Sequence, residues 1–190
     1  MVSFNDIIFY ENVFDEEDAK KIYELRNESR WAIQYSTTKK GESSPFWTLP
    51  LAENEFITNH CFQQVKKLIG DNFTINNVYL NGQSAHQDGY PHHDDTEINT
   101  YTFLVYLNPS WDIIWGGHTT FVSMYYDPHF KKVMNFNPMS NDLDAYSFTP
   151  KPNCALFFPS ILFHYGAGPS SRMKDIRFTL AYKLKKIVWG

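Results

Sequence analysis

The stretch Thr100-Tyr101-Thr102-Phe103-Leu104-Val105-Tyr106-Leu107-Asn108 decides how the chain folds. Tyr101, Phe103, Val105 and Leu107 fall on one side of an extended segment, and Thr100, Thr102, Tyr106 and Asn108 fall on the other. A period of two predicts a strand. The apolar set is the core face of a sheet layer, while the polar set either looks at water or lines a polar pocket inside a closed sheet. A later segment repeats the pattern: Arg177, Thr179, Ala181 and Lys183 share one face, and Phe178, Leu180, Tyr182 and Leu184 share the other. Short β-branched and aromatic runs also occur at Phe73–Leu80, His118–Ser123, Ala155–Phe158 and Ile176–Leu184, separated by turn residues. From residue 73 onward the expected fold is an antiparallel sandwich or barrel, with two sheets closing into a jelly roll.

Upstream the pattern is mostly helical. Ile7–Tyr10 reads as a short strand, and Asp15 with Asp18 opens a helix through Ala19, Ile22, Tyr23 and Leu25. A second helix is expected over Glu55–Ile69, with Phe56, His60, Phe62, Val65 and Leu68 as core contacts and Gly70 as its C-terminal cap. No linker or repeat divides the chain. The expectation is a mainly β (α+β) fold in one domain over 1–190, with N-terminal helical support (1–72) on one sheet of a jelly-roll core (73–190). Tyr125–Ser147, rich in Asn, Asp, Pro and Met, reads as a hairpin with a long loop, covering a site or decorating an edge.

The 190 residues, 43% of them hydrophobic, suffice for a full-sized core and exclude intrinsic disorder. Sixteen Phe, 12 Tyr and 5 Trp point to a wide aromatic core or an aromatic-lined cavity. With 17 basic against 21 acidic residues, the net charge of −4 argues against nucleic acid. Cys61 and Cys154, too few for a disulfide scaffold, read as buried thiols in a reducing compartment. Without a signal sequence or a run of roughly 18 apolar residues, a cytoplasmic location and no membrane partner are expected.

The chemistry concentrates in Tyr90-Pro91-His92-His93-Asp94-Asp95. Residues two apart in an extended segment point the same way, so His92 with Asp94, or His93 with Asp95, can offer an imidazole and a carboxylate to one metal. His164, about 70 residues downstream at the end of the strand through Phe158, can return beside them as a third ligand. Two imidazoles and one carboxylate form the ligand set of non-haem Fe(II) oxygenases, which leave coordination positions open. Arg177, mid-strand and 13 residues after His164, can pair with a carboxylate such as that of 2-oxoglutarate, or with a surface Asp or Glu. Asn81 and Gln83, leading toward His92, can hydrogen-bond cosubstrate or substrate, or serve the fold.

The succession His92-x-Asp94, Thr102-x-x-x-Tyr106-Leu107-Asn108-x-x-Trp111, Gly116-Gly117-x-Thr119-x-Phe121, Phe158-Pro159 with His164, then Arg177, resembles the Fe(II)- and 2-oxoglutarate-dependent dioxygenases of the prolyl 4-hydroxylase-like branch. The resemblance runs over Val78–Leu184 and implies a double-stranded β-helix. It also implies His92, Asp94 and His164 as iron ligands, Arg177 and Tyr106 at the distal carboxylate of 2-oxoglutarate, and Thr102 on the pocket wall. Gly89-Tyr90 before the histidine and Asp95 after the aspartate favour the His92/Asp94 pair. Fe(II), 2-oxoglutarate and O2 follow as requirements, with ascorbate as an accessory reductant. Related halogenases lack a carboxylate where Asp94 stands, so the implied outcome is hydroxylation, releasing succinate and CO2. Two departures touch local geometry: His118 stands where Glu often follows the Gly-Gly pair, and Asn153 replaces a Gly after Pro150-Lys151-Pro152. The implied substrate is a prolyl residue of a peptide or protein, or a small molecule. The alternative is a non-catalytic jelly-roll module that binds metal or ligand.

Overall fold

In the computed structural model, which describes residues 3–34, 44–122, 125–127, 132–134 and 145–188, all strand pairings are antiparallel. The strands are β1 (Ile8–Tyr10), β2 (Ala32–Gln34), β3 (Phe46–Pro50), β4 (Phe73–Gln83), β5 (Thr100–Tyr106), β6 (Thr119–Val122), β7 (Tyr125–Asp127), β8 (Lys132–Met134), β9 (Ala145–Phe148), β10 (Cys154–Pro159), β11 (His164–Gly166) and β12 (Arg177–Lys186). Seven form the major sheet in the order β1-β10-β5-β12-β4-β3-β2, three form a minor sheet, β11-β6-β9, and β7 pairs with β8. The architecture is the jelly roll, a double-stranded β-helix. Among the described residues no helix is long and apolar enough to cross a membrane.

Two cores follow from the alternation in β5 and β12. Phe103, Val105, Leu180, Tyr182 and Leu184 are buried with Ile22, Ile57, Phe62 and Val65, so the apolar face of the major sheet packs against the N-terminal helices. Burying each such side chain is worth about 1.5–3 kcal/mol. The opposite face turns inward, where Tyr106, Leu156 and Phe158 meet Phe121 and Leu162 between the sheets.

Helix α1 (Glu16–Glu24) begins where expected: Asp15 caps it by accepting the Asp18 N–H at 2.9 Å, and Glu16, Glu17 and Asp18 oppose the positive end of its dipole. The second helix differs from its expectation. Phe56–Cys61 winds as π-helix before α2 (Phe62–Ile69), and the Ile57 carbonyl accepts the hydroxyl hydrogen of Tyr182 at 3.0 Å. Gly70 follows at φ 92, the positive region glycine tolerates.

Two expectations are corrected. The first 72 residues are not only helical support, because β1, β2 and β3 extend the major sheet. β2 is three residues long and β3 ends in Pro50, so neither carries a sustained alternation. Furthermore, His164 does not end the strand through Phe158; β10 stops at Pro159, a turn follows, and His164 opens β11 in the other sheet. Of the Tyr125–Ser147 segment, β7, β8 and most of β9 are described; any covering role of its loop lies outside the described residues, as does His129.

Candidate active site

The segment after β4 leaves the major sheet and crosses to the minor one. There His92 forms an isolated antiparallel bridge with His164, exchanging backbone hydrogen bonds of 3.0 and 2.8 Å. The Asp94 N–H donates to the Ser160 carbonyl at 2.9 Å. Residues distant in sequence are thereby locked in register, and one ligand-capable atom from each of His92, Asp94 and His164 lies within 4.8 Å of the others. His93 does not join them: its ring meets Phe163 edge-on, with centroids 5.1 Å apart. Asp95 instead accepts the Thr96 and Glu97 N–H groups and closes a turn.

Nδ1 of His92 lies 2.8 Å from the Tyr90 carbonyl and Nδ1 of His164 lies 2.9 Å from the Leu162 carbonyl. A carbonyl only accepts, so each Nδ1 carries the hydrogen and each Nε2 presents a lone pair. Those lone pairs face Asp94 Oδ1 at 3.4 Å and Oδ2 at 3.5 Å. Three electron-pair donors with no hydrogen to share suit a cation, and their mixed nitrogen and oxygen character suits Fe(II). Burial pushes the His164 pKa down to about 4, so the imidazole is neutral and ready to ligate at physiological pH. Burial alone would raise the Asp94 pKa, but the Lys183 ammonium paired with it outweighs that and holds the carboxyl well below its usual range.

Two side chains hold Asp94 from the major sheet. Thr102 donates its hydroxyl to Oδ2 at 2.5 Å, and the Lys183 ammonium pairs with the same oxygen. Sequence reasoning placed Lys183 on the Arg177 face of its strand and gave it no role. It lies three periods of the alternation beyond Arg177 on the same face, but a strand lysine is ordinarily solvated, and only the closed roll turns this one toward Asp94.

Arg177, only 2% exposed, reaches toward the minor sheet. It donates from Nε to the Gly117 carbonyl (2.7 Å), from Nη1 to Gln83 Oε1 (2.6 Å) and from Nη2 to Thr119 Oγ1 (3.0 Å). Tyr106 donates its hydroxyl to the same Thr119 oxygen at 2.8 Å. Among the described residues no carboxylate pairs with this guanidinium, so the surface ion pair considered for it does not occur. Burial pulls its pKa down, as expected for a cation taken from water without an anion. Gly117 sits at φ 70, and a Cβ there would stand 2.7 Å from the Trp111 ring, so this approach to Arg177 requires glycine.

A cavity of about 70 Å³ is lined by Arg177, Thr119, His92, Asp94 and His164, joining the guanidinium to the three donors. A second cavity of about 570 Å³ is walled by Asn81, Tyr79, Asp94 and Lys183, all shared with the first, and by residues of β3 and the 93–95 segment. Other candidates lie elsewhere: His118 contacts Thr149, His60 pairs with the buried Asp18, and burial raises the pKa of both thiols, Cys61 to about 12. The geometry around Asn153 survives its departure from glycine. At φ 53 asparagine tolerates the left-handed conformation, and its carboxamide accepts the Phe14 N–H and donates to the Phe14 carbonyl.

The profile of the 2OG-Fe(II) oxygenase superfamily matches residues 74–182. No curated protein matches the chain. Among solved structures, the non-haem α-ketoglutarate-dependent epimerase SnoN of nogalamycin biosynthesis is similar at a TM-score of 0.70 and 15% identity, covering 95% of this chain and 76% of its own. A Trichoplax adhaerens prolyl hydroxylase bound to a hypoxia-inducible-factor peptide gives 0.65 and 14%, over 97% and 84%. A Pseudomonas putida prolyl-4-hydroxylase gives 0.61 and 10%, over 96% and 94%. These likenesses, at low identity, speak for the fold alone. A family match over more than half of the sequence goes further: the chain belongs to the 2OG-Fe(II) oxygenase superfamily.

Proposed function

We propose that the chain is a hydroxylase that uses Fe(II), 2-oxoglutarate and O2, the requirements of its family, to convert an unactivated C–H bond to C–OH, releasing succinate and CO2. One observation carries the reading: a single cavity has three cation-seeking donors at one end and a buried, anion-lacking Arg177 at the other. A dicarboxylate that must reach a metal fits between such ends.

In this reading His92, Asp94 and His164 hold the metal, which supplies the activation of O2 coupled to decarboxylation of the cosubstrate. Arg177 binds the far carboxylate through N–H groups left over from Gly117, Gln83 and Thr119, and Tyr106 with Thr119 orients that end. Thr102 and Lys183 occupy one oxygen of Asp94, leaving the other for the metal. The inward aromatic side chains keep water from the reacting centre. Three protein donors, rather than the four of a structural zinc site, favour catalysis over a binding module.

A prolyl residue of a peptide or protein is the substrate that the sequence resemblance suggests, and prolyl hydroxylases stand among the similar folds. A small polar molecule is the second reading, favoured by the polar lining of the larger cavity. Anaerobic addition of Fe(II) and 2-oxoglutarate should produce the weak visible charge-transfer band of a chelate, and admitting O2 should yield succinate. A protein that gives neither is a binding module.

A further inference from the structure

Among the described residues, two buried side-chain oxygens lack any hydrogen-bond partner: Thr48 Oγ1 and Asn81 Oδ1. They are neighbours, since Thr48 on β3 and Asn81 on β4 are directly paired in the sheet. Both line the 570 Å³ cavity, and Asn81 also lines the smaller one that reaches the three donors. A buried polar atom left without a partner costs about 1–3 kcal/mol. Valine would fill the Thr48 position, which is 8% exposed, without that cost. Cβ atoms of directly paired residues stand about 5 Å apart, so one hydroxyl between them can accept from Thr48 and donate to Asn81, and an ammonium can donate to both oxygens.

The rest of the cavity points the same way. Of its 13 lining residues only Pro50 and Leu184 have apolar side chains, whereas small-molecule pockets are ordinarily lined mostly by apolar groups. Lys183 adds an ammonium donor, and Asp95, whose Oδ1 closes the turn, adds its Oδ2 as an acceptor. A prolyl residue has no N–H and an apolar ring, so it brings no donor of its own for the Asn81 oxygen or the Asp95 carboxylate.

We propose that this cavity is the substrate chamber and that it takes a small polar molecule rich in hydroxyl or amino groups, one of which is gripped between Thr48 and Asn81. The proposal rests on the oxygenase reading above and chooses within it. Its atoms balance as in that reading: the C–H bond hydroxylated belongs to the polar molecule bound beside Asp94.

The test uses the full chain loaded anaerobically with Fe(II) and 2-oxoglutarate, with D-glucosamine, L-serine and N-acetyl-L-proline amide as probes. The amino sugar or the amino acid should shift the charge-transfer band, and which of them does so identifies the source of the hydroxyl or amino group. Its Kd by calorimetry should rise tenfold or more in Thr48→Val and in Asn81→Leu. Thr48→Val should bind 2-oxoglutarate as the parent does and melt at the same temperature or higher, because it removes an unpartnered buried hydroxyl. Three results would overturn the proposal: a shift by the proline amide alone, no shift by any probe, or a lower melting temperature in Thr48→Val, which would mark an internal structural role. Absence of the band before any probe is added would instead sink the oxygenase reading itself, and this proposal with it.

Discussion

The two carboxylate oxygens of Asp94 have different neighbours. Oδ2 is engaged by Thr102 and Lys183, while Oδ1 faces the His92 imidazole. Asp95, one residue on, is spent on the turn that follows. Asp94→Ala should therefore abolish stoichiometric Fe(II) binding and Asp95→Ala should not; equilibrium dialysis of the two variants separates them, and the reverse pattern would move the metal site by one residue. At the other end of the cavity, Arg177→Ala should raise the 2-oxoglutarate requirement at least tenfold, roughly 1.4 kcal/mol or more, while Fe(II) affinity moves far less. Calorimetric titration of each ligand checks this, and equal losses would contradict it. The histidines and Arg177 stood out in the sequence because imidazole and guanidinium side chains are scarce, but the alternation left open both the choice between His92/Asp94 and His93/Asp95 and the partner of Arg177. Lys183 did not, since a strand lysine is ordinarily solvated, and only the closed roll shows that its neighbour is Asp94. Thr48 was hidden by the helical reading of its surroundings.

At the scale of elements, alternation revealed β5 and β12 because each is long enough to show both faces, one against the helices and one inside the roll. β3, five residues ending in proline, carries too little pattern, yet it supplies a wall of the larger cavity. The turn before β10 illustrates a local substitution that keeps its geometry. Asn153 at φ 53 combines a left-handed backbone with two bonds to Phe14, tying the start of β10 to the approach of α1. Asn153→Gly should cost about 1–2 kcal/mol through the lost hydrogen bonds. Asn153→Ala should cost about 1 kcal/mol more, since alanine must also adopt the left-handed region. Urea denaturation measures both, and equal losses would mean that the backbone conformation contributes nothing.

Across the whole molecule, two sheets bring together side chains that the sequence separates by 70 residues or more, and the jelly roll was legible from strand spacing and face alternation together. The allocation of His164 to the minor sheet was not, because the turn after Pro159 carries no glycine or asparagine to announce a change of sheet. That placement buries His164 and links the site to global stability. Its pKa falls from 6.5 in the unfolded chain to about 4 in the fold. Between these values the unfolded state binds more protons, so metal-free protein should lose up to roughly 3 kcal/mol as pH falls from 6.5 toward 4, with nothing gained above 6.5. Thermal melts of chelator-treated protein should show this slope and His164→Gln should flatten it; an unchanged slope would assign it to other groups. The central claim is that the imidazoles of His92 and His164 ligate one ion together. Pulsed EPR of the Cu(II)-substituted protein reads it most directly, by counting the remote imidazole nitrogens coupled to the metal. Two are expected in the parent and one in His164→Ala, whereas a count that His164→Ala leaves unchanged would contradict the account.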